Sequence, residues 1–165
     1  MIGIDSCFLI DLYWQDSPRN KNARALYSKI EKDESIHIAI YHNCFNEFLH
    51  VITDSRRFEN PFSIKEAINV IDFWCDLDRV TVLYPNDTVL KRTLAWMNMY
   101  NLGRNRINDT QMASCYLSNN ITSIITANPK DFEIFQCFEL QDYSTIFPST
   151  LPAASFKVRT SHCLL

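Results

Sequence analysis

The stretch "MIGIDSCFLID", residues 1–11, decides how the rest of the chain is read. Met1, Ile2 and Ile4 form a short apolar run of strand type that stops at a charge, Asp5. Phe8, Leu9, Leu12 and Tyr13 then follow at helical spacing. A buried strand that ends on a carboxylate and turns at once into a helix is one way an open α/β sheet presents a site. Ligands in such folds sit outside the carboxyl ends of the strands. Capping the next helix is the plainer role for the same aspartate.

Outward from that unit, the two periods alternate. Residues 20–32 place Ala23, Leu26, Tyr27 and Ile30 on one helical face. The β-branched run at 35–40 predicts a second strand. "HNCFNEFLHVIT", 42–53, returns to helical period with Cys44, Phe45, Phe48, Leu49 and Ile52 as its apolar stripe. After a loop at Asn60 and Pro61 comes a helix carrying Ile64, Ala67, Ile68, Ile71, Trp74 and Cys75. Residues 80–84 predict a third strand, 87–100 and 108–118 two further helices, 122–126 a fourth strand and 137–140 a short fifth. Strands separated by helix-length stretches predict right-handed βαβ units and a parallel sheet. Periodicity fails near residue 148. The expected organisation is one α/β domain over 1–147 with a peripheral or partly disordered tail over 148–165.

Composition narrows the chemistry. A chain of 165 residues, 47% hydrophobic, is long enough for one domain with a real core. Its two glycines form neither GxGxxG nor GxxxxGK[ST], so no phosphate-cradling loop is present. Six widely spaced cysteines without a CxxC pair predict reduced, mostly core thiols in a cytoplasmic protein. The four histidines make no HxxxH pair, against a zinc site. No apolar run approaches the roughly 18 residues that span a bilayer, and no basic region precedes an apolar one at the N-terminus. A net charge of −3 does not mark a nucleic-acid binder. An enzyme holding a metal with carboxylates, however, keeps acid in its site and its bases local. Arg19, Lys21 and Arg24 form one such group, Arg56 and Arg57 a second, Arg104 and Arg106 a third; each is also ordinary solvated surface.

Further acids recur where the elements turn. Asn43, Asn46, Glu47 and His50 share the polar face of the helix after the second strand. "RINDTQMASCYL" puts Asp109 at a helix start, where the dipole favours an ionised carboxylate. In "TSIITANPKDF", 122–132, a strand ends at Thr126 and Pro129 pushes Asn128 toward extended backbone. Asn128 therefore reads as an N-cap with Asp131 three residues on. In a parallel sheet these positions lie along one edge. Carboxylates converging there repel and raise one another's pKa. A hard cation such as Mg²⁺ or Mn²⁺ resolves that conflict, and can activate water for attack on a phosphodiester.

The series "MIGIDSCFLID", "YHNCFNEFLHVIT" and "GRNRINDTQMASCYLSNNITSIITANPKDF" resembles the PIN-domain family, and within it the VapC-type ribonuclease toxins of type II toxin–antitoxin systems. The likeness runs in order from Met1 to about Phe147. It implies a three-layer α/β/α fold around a mainly parallel sheet of about five strands. It also implies an Mg²⁺- or Mn²⁺-dependent endoribonuclease, the toxin of a pair, with RNA as substrate and a cognate antitoxin as partner. By motif, Asp5, Glu47 and Asp109 match the family's three main acids. The fourth position lies between Asn128, where many members carry an acid, and Asp131. Asp131 is favoured as the fourth catalytic and metal-holding residue, with Asn128 and Ser6 as supporting polar groups. Arg104 and Arg106 are placed to meet the RNA backbone. The chain departs from the family at Ser6-Cys7, where Thr-Asn is common, and at Tyr41, where a small hydroxyl residue is usual. A catalytically inactive PIN domain acting as a protein- or RNA-binding module is the alternative. A phosphotransfer domain fits less well, since only Asp5 follows the first strand.

Assembly is legible in outline. The helices near 20–32 and 64–77 carry Leu26, Tyr27, Phe73 and Trp74, more apolar surface than one sheet face is expected to cover. The resemblance agrees with the resulting expectation of a homodimer. It further implies an antitoxin segment laid over the active-site groove, with a basic side chain among the acids.

Overall fold

The computed structural model describes residues 1–144, so the expected tail over 148–165 and the last residues of the domain lie outside the described residues. β1 (Ile2–Ile4) is buried along its length, as its unbroken apolar run requires of a central parallel strand. It pairs on one side with β2 (Ile38–Tyr41) and on the other with β4 (Ser123–Thr126). β3 (Val80–Leu83) extends the sheet beyond β2, and β5 (Glu139–Asp142) extends it beyond β4. The sheet has order β3-β2-β1-β4-β5, with every pairing parallel. Strand order reverses between β1 and β4, and the carboxyl ends of those two strands bring Asp5 and Thr126 together.

Helices fill both faces. α1 (Ser6–Tyr13) packs on α2 (Asn20–Lys32) and on α3 (His42–Ile52), and α3 packs on α4 (Ile64–Cys75). α5 (Asp87–Met99) packs on α6 (Ile107–Ser118), which meets the one-turn α7 (Lys130–Glu133). A 3₁₀ turn over Arg104–Arg106 leads into α6. Local capping starts two of these helices. Ser63 and Glu66 make a reciprocal capping box before α4, and the Asn86 side chain accepts the Val89 N–H before α5.

Two glycine-scale details lock the centre. Gly3 lies under the ring of Tyr116, and a Cβ there would stand 2.7 Å from that ring. The Tyr116 hydroxyl donates to the Ile4 carbonyl at 2.6 Å and accepts the Tyr41 N–H at 3.2 Å, tying β1, β2 and α6 together.

Three expectations need correction. β2 begins at Ile38, not 35, because Ser35 is held in a turn by the Asp33 carboxylate, 3.0 Å from its N–H. β5 lies at Glu139–Asp142, two residues later than expected. The apolar surplus is only partly where it was expected. Leu26 and Trp74 are buried, and Trp74 packs against Tyr27 with ring centroids 5.4 Å apart. Phe73 is exposed as expected, beside Ile64 and Ile68 on α4, and α5 adds Leu90, Leu94 and Met99. Among the cysteines, Cys44 and Cys115 are buried but Cys75 is exposed. No helix among the described residues is long and apolar enough to cross a membrane.

Candidate active site

Asp5 holds the N-cap position of α1 but does not cap it; its side chain makes no cap hydrogen bond. The backbone is pinned instead by the Asp5 N–H donating to the Ile125 carbonyl at 3.0 Å, across the β1–β4 boundary. Its buried carboxylate accepts from the Thr126 hydroxyl at 2.7 Å and from the Cys7 thiol at 3.1 Å. Burial first, and then the Asp5 charge, hold the Cys7 thiol well above its usual pKa, so it stays protonated and can donate. Its sulfur also accepts the Ala127 N–H at 3.3 Å. Cys7 thus links Asp5 to the β4 end with one donor and one acceptor, though it carries no amide.

Ser6 joins the second acid to the first. Its hydroxyl lies 2.9 Å from Glu47 Oε2 and 3.2 Å from Asp5 Oδ1. With a single proton it donates to one carboxylate at a time. Glu47 is exposed on α3, facing a narrow cavity of about 10 Å³ that Ser6, Tyr41, Asp109 and Met112 help to line. That space suits one water-sized occupant.

Asp109 stands in the first turn of α6. Its pKa is pushed up to about 7, first by burial and then by the charges of Asp5 and Asp131, with Glu47 adding and Arg106 opposing. The expectation that the helix dipole keeps Asp109 ionised is therefore corrected. Desolvation and three neighbouring acids outweigh a terminal dipole of partial charge. Asp131, on α7, faces Arg106, with Nη1 to Oδ1 at 2.9 Å, and Arg106 also donates to the Asp131 carbonyl. The same guanidinium lies 3.6 Å from Asp109 Oδ2, an ion pair in which its buried Nε has no hydrogen-bond partner. Arg106 therefore faces the acids, whereas Arg104 is exposed.

Asn128 contributes through its backbone. Its N–H donates to Thr126 Oγ1 at 2.9 Å, and its carbonyl accepts from Asp131 N at 3.0 Å. It is not the expected side-chain cap: α7 has Pro129 at its N-cap and is too short to reward one. Thr126, fully buried, is the polar group the sequence reading missed. Its signal is a hydroxyl residue closing an apolar strand just before Ala127-Asn128-Pro129.

The acids offer only oxygen donors, and Asp109 reports a deficit of positive charge among them; in kind they fit a hard divalent cation. As they stand, no three acidic, histidine or cysteine side chains among the described residues are gathered closely enough to hold an ion.

The sequence model of the PIN domain family matches residues 2–135. This chain belongs to the PIN domain family, and its fold is shared with VapC toxins of type II toxin–antitoxin systems. It is similar to VapBC-1 from nontypeable Haemophilus influenzae, at 23% identity over 88% of this chain and 100% of that one, with a TM-score of 0.62. It is also similar to Mycobacterium tuberculosis VapC20, a sarcin-ricin loop cleaving toxin, at 13% identity over 75% and 87% of the two chains, TM-score 0.59. A toxin–antitoxin complex from Klebsiella pneumoniae matches at 15% identity over 80% and 90%, TM-score 0.56. No curated protein sequence matches the chain.

Proposed function

We propose that this protein is a divalent-metal-dependent endoribonuclease and the toxin of a toxin–antitoxin pair. The observation that carries this reading is the placement of Asp5, Glu47, Asp109 and Asp131 at the carboxyl ends of β1 and β4, Ser6 bridging the first two acids and Arg106 pairing with the last two. Asp5, Glu47, Asp109 and Asp131 would hold Mg²⁺ or Mn²⁺. Bound there, the cation supplies an activated water and offsets charge developing at the phosphodiester. Thr126 and Cys7 fix the direction of the Asp5 carboxylate, and Ser6 keeps Glu47 beside it. Arg106 balances Asp131 at the rim, and with the exposed Arg104 forms the basic side that the RNA backbone meets.

An antitoxin partner is supported by the toxin–antitoxin complex among the structural relatives. A basic antitoxin side chain would compete with the metal for the same carboxylates. A homodimer is supported by the exposed Leu90 and Leu94, one turn apart on α5, and light scattering at micromolar concentration tests it. Cytoplasmic action fits a ribonuclease.

The decisive experiment compares RNA cleavage by the parent, Asp5→Asn and Asp109→Asn in Mg²⁺. Both variants should lose about 10³-fold or more in rate, roughly 4 kcal/mol of transition-state stabilisation, while remaining cooperatively folded. A parent-like rate in Asp109→Asn overturns the assignment. The second reading, an inactive PIN module that binds protein or RNA, is favoured by Tyr41, which helps wall the narrow cavity, and by Arg106, already engaged with Asp131. Calorimetry with Mn²⁺ separates the two, since an inactive site gives no heat that Asp5→Asn removes.

A further inference from the structure

A second cavity, of about 280 Å³, opens on the α1 side of the site and shares Glu47 with it. Its walls combine two chemistries that rarely meet by accident. Trp14 and Phe58 form an aromatic corner, edge to face at 4.9 Å between ring centroids. Arg19 and Arg57 supply guanidinium groups, with side chains 39% and 56% exposed. Neither arginine is loosely placed. Arg19 is gripped by the buried Asp11 carboxylate, Nε to Oδ2 at 2.6 Å, and Arg57 lies in a turn that Asp54 organises, with Nε 3.5 Å from Asp54 Oδ2. Asp11 is buried under its ion pair with Arg19, so the wall presents the partly exposed Arg19 and Arg57 beside Glu47, and the exposed Arg56 shares the Asp54 turn with Arg57.

We propose that this cavity is a nucleotide subsite. It receives one base of single-stranded RNA beside the phosphodiester held at the acids, with stacking on the Trp14–Phe58 corner and the adjoining phosphate met by Arg19 and Arg57. The inference deepens the ribonuclease reading and rests on it. A flat base with a phosphate on the far side of one ribose needs an aromatic face next to a fixed cation, and this cavity offers both beside Glu47. Stacking on aromatic side chains tolerates every base, so the subsite positions the strand without choosing its sequence; arginine adds a cation–π contribution. A polypeptide segment is the competing occupant, and the two guanidinium groups favour the anionic one.

Tryptophan emission offers a direct test. Trp74 and Trp96 are buried, so of the three tryptophans Trp14 is the one a bound base can quench. The full-length chain is titrated at low salt in EDTA with a mixed-sequence single-stranded RNA decamer, unlabelled for emission and labelled for anisotropy. RNA should quench the parent's emission. Trp14→Phe should abolish that quenching while binding within about three-fold of the parent, because phenylalanine still stacks. Arg57→Glu, on an exposed side chain, should weaken binding about ten-fold or more and flatten its salt dependence. RNA binding with no quenching and with Arg57→Glu equal to the parent overturns the subsite, and leaves the ribonuclease reading to its cleavage test. Failure of the parent to bind RNA at all also overturns the subsite, and cleavage in Mg²⁺ then decides the ribonuclease reading separately. A protein partner whose capture, rather than RNA binding, is lost in Arg57→Glu reassigns the cavity to a polypeptide and overturns the proposal.

Discussion

Asp5 and Asp11 stand at the start and in the last turn of the same strand-to-helix unit, and both are buried, yet their carboxylates live in opposite circumstances. Asp11 accepts from the Ser17 hydroxyl at 2.5 Å, from Arg19 Nε at 2.6 Å and from the Tyr143 hydroxyl at 2.7 Å. Burial raises the Tyr143 pKa, so that phenol remains a donor. A charge, a counter-charge and two hydroxyls close the account locally, which is what a structural buried carboxylate requires. Asp5 has hydroxyl and thiol donors but no cation of its own. Around it stand Glu47, Asp109 and Asp131, with Arg106 shared between the last two. The fold thus satisfies Asp11 completely and leaves the switch-point acids short of positive charge, the shortage on which the proposed cation site rests. The contrast distinguishes a brace from a site more securely than burial does.

Removing the brace should do the greater harm to stability. Asp11→Ala leaves Arg19, Ser17 and Tyr143 without their shared acceptor, and should cost about 3 kcal/mol in urea unfolding. A loss below roughly 1 kcal/mol would mean that Asp11 is not the satisfied partner its geometry describes.

The opposite sign is expected at Asp109. Its folded pKa of about 7 exceeds the ordinary carboxylate value of 3.8. The native state therefore holds a proton that the unfolded chain releases, and stability falls as pH rises from about 4 to about 7. Above pH 7 the penalty is complete. In EDTA at pH 8, Asp109→Asn should be more stable than the parent by about 2 kcal/mol, after allowing for partial solvent screening. Its stability should also be flatter between pH 4 and 7. A destabilised Asp109→Asn under these conditions would place Asp109 with Asp11 among the braces.

Adding the missing charge should sharpen the same difference. Saturating Mn²⁺ should raise the parent's stability by about 1–3 kcal/mol in a thermal melt, as expected for a ligand near 10–100 times its Kd, with no such gain in Asp5→Asn. The smallest effect is expected at Asn128. Its hydrogen bonds to Thr126 and Asp131 run through backbone atoms, so Asn128→Ala should change stability by less than about 0.5 kcal/mol. A cost near 1 kcal/mol would restore a side-chain cap.

Local periodicity was sufficient for the frame. The helix at Asn20–Lys32 falls on the residues its apolar face marks, and the run of β1 is short, buried and ended by Asp5 as its composition demands. Such features depend on neighbours a few residues apart, so the sequence alone carries them. Asp5, Asp109 and Asp131 were legible as candidates for the same reason, as acids beside turns between elements, and Glu47 as an acid on the polar face of the helix after the second strand. Contacts between distant segments were not. Thr126 reaches Asp5 across 121 residues and Tyr143 reaches Asp11 across 132, and no period or motif links either pair. Arg106 looked like a base for the solvent and turned inward to Asp131, 25 residues on. The ionisation of Asp109 depended on how much water the fold removed and which acids it brought near, so the expected repulsion among converging acids gave the direction of its shift and the local dipole did not. Short-range pattern determined which groups stand at the edge of the sheet; long-range packing decided which of their charges are balanced, because desolvation and Coulomb interaction depend on distance in space and not along the chain.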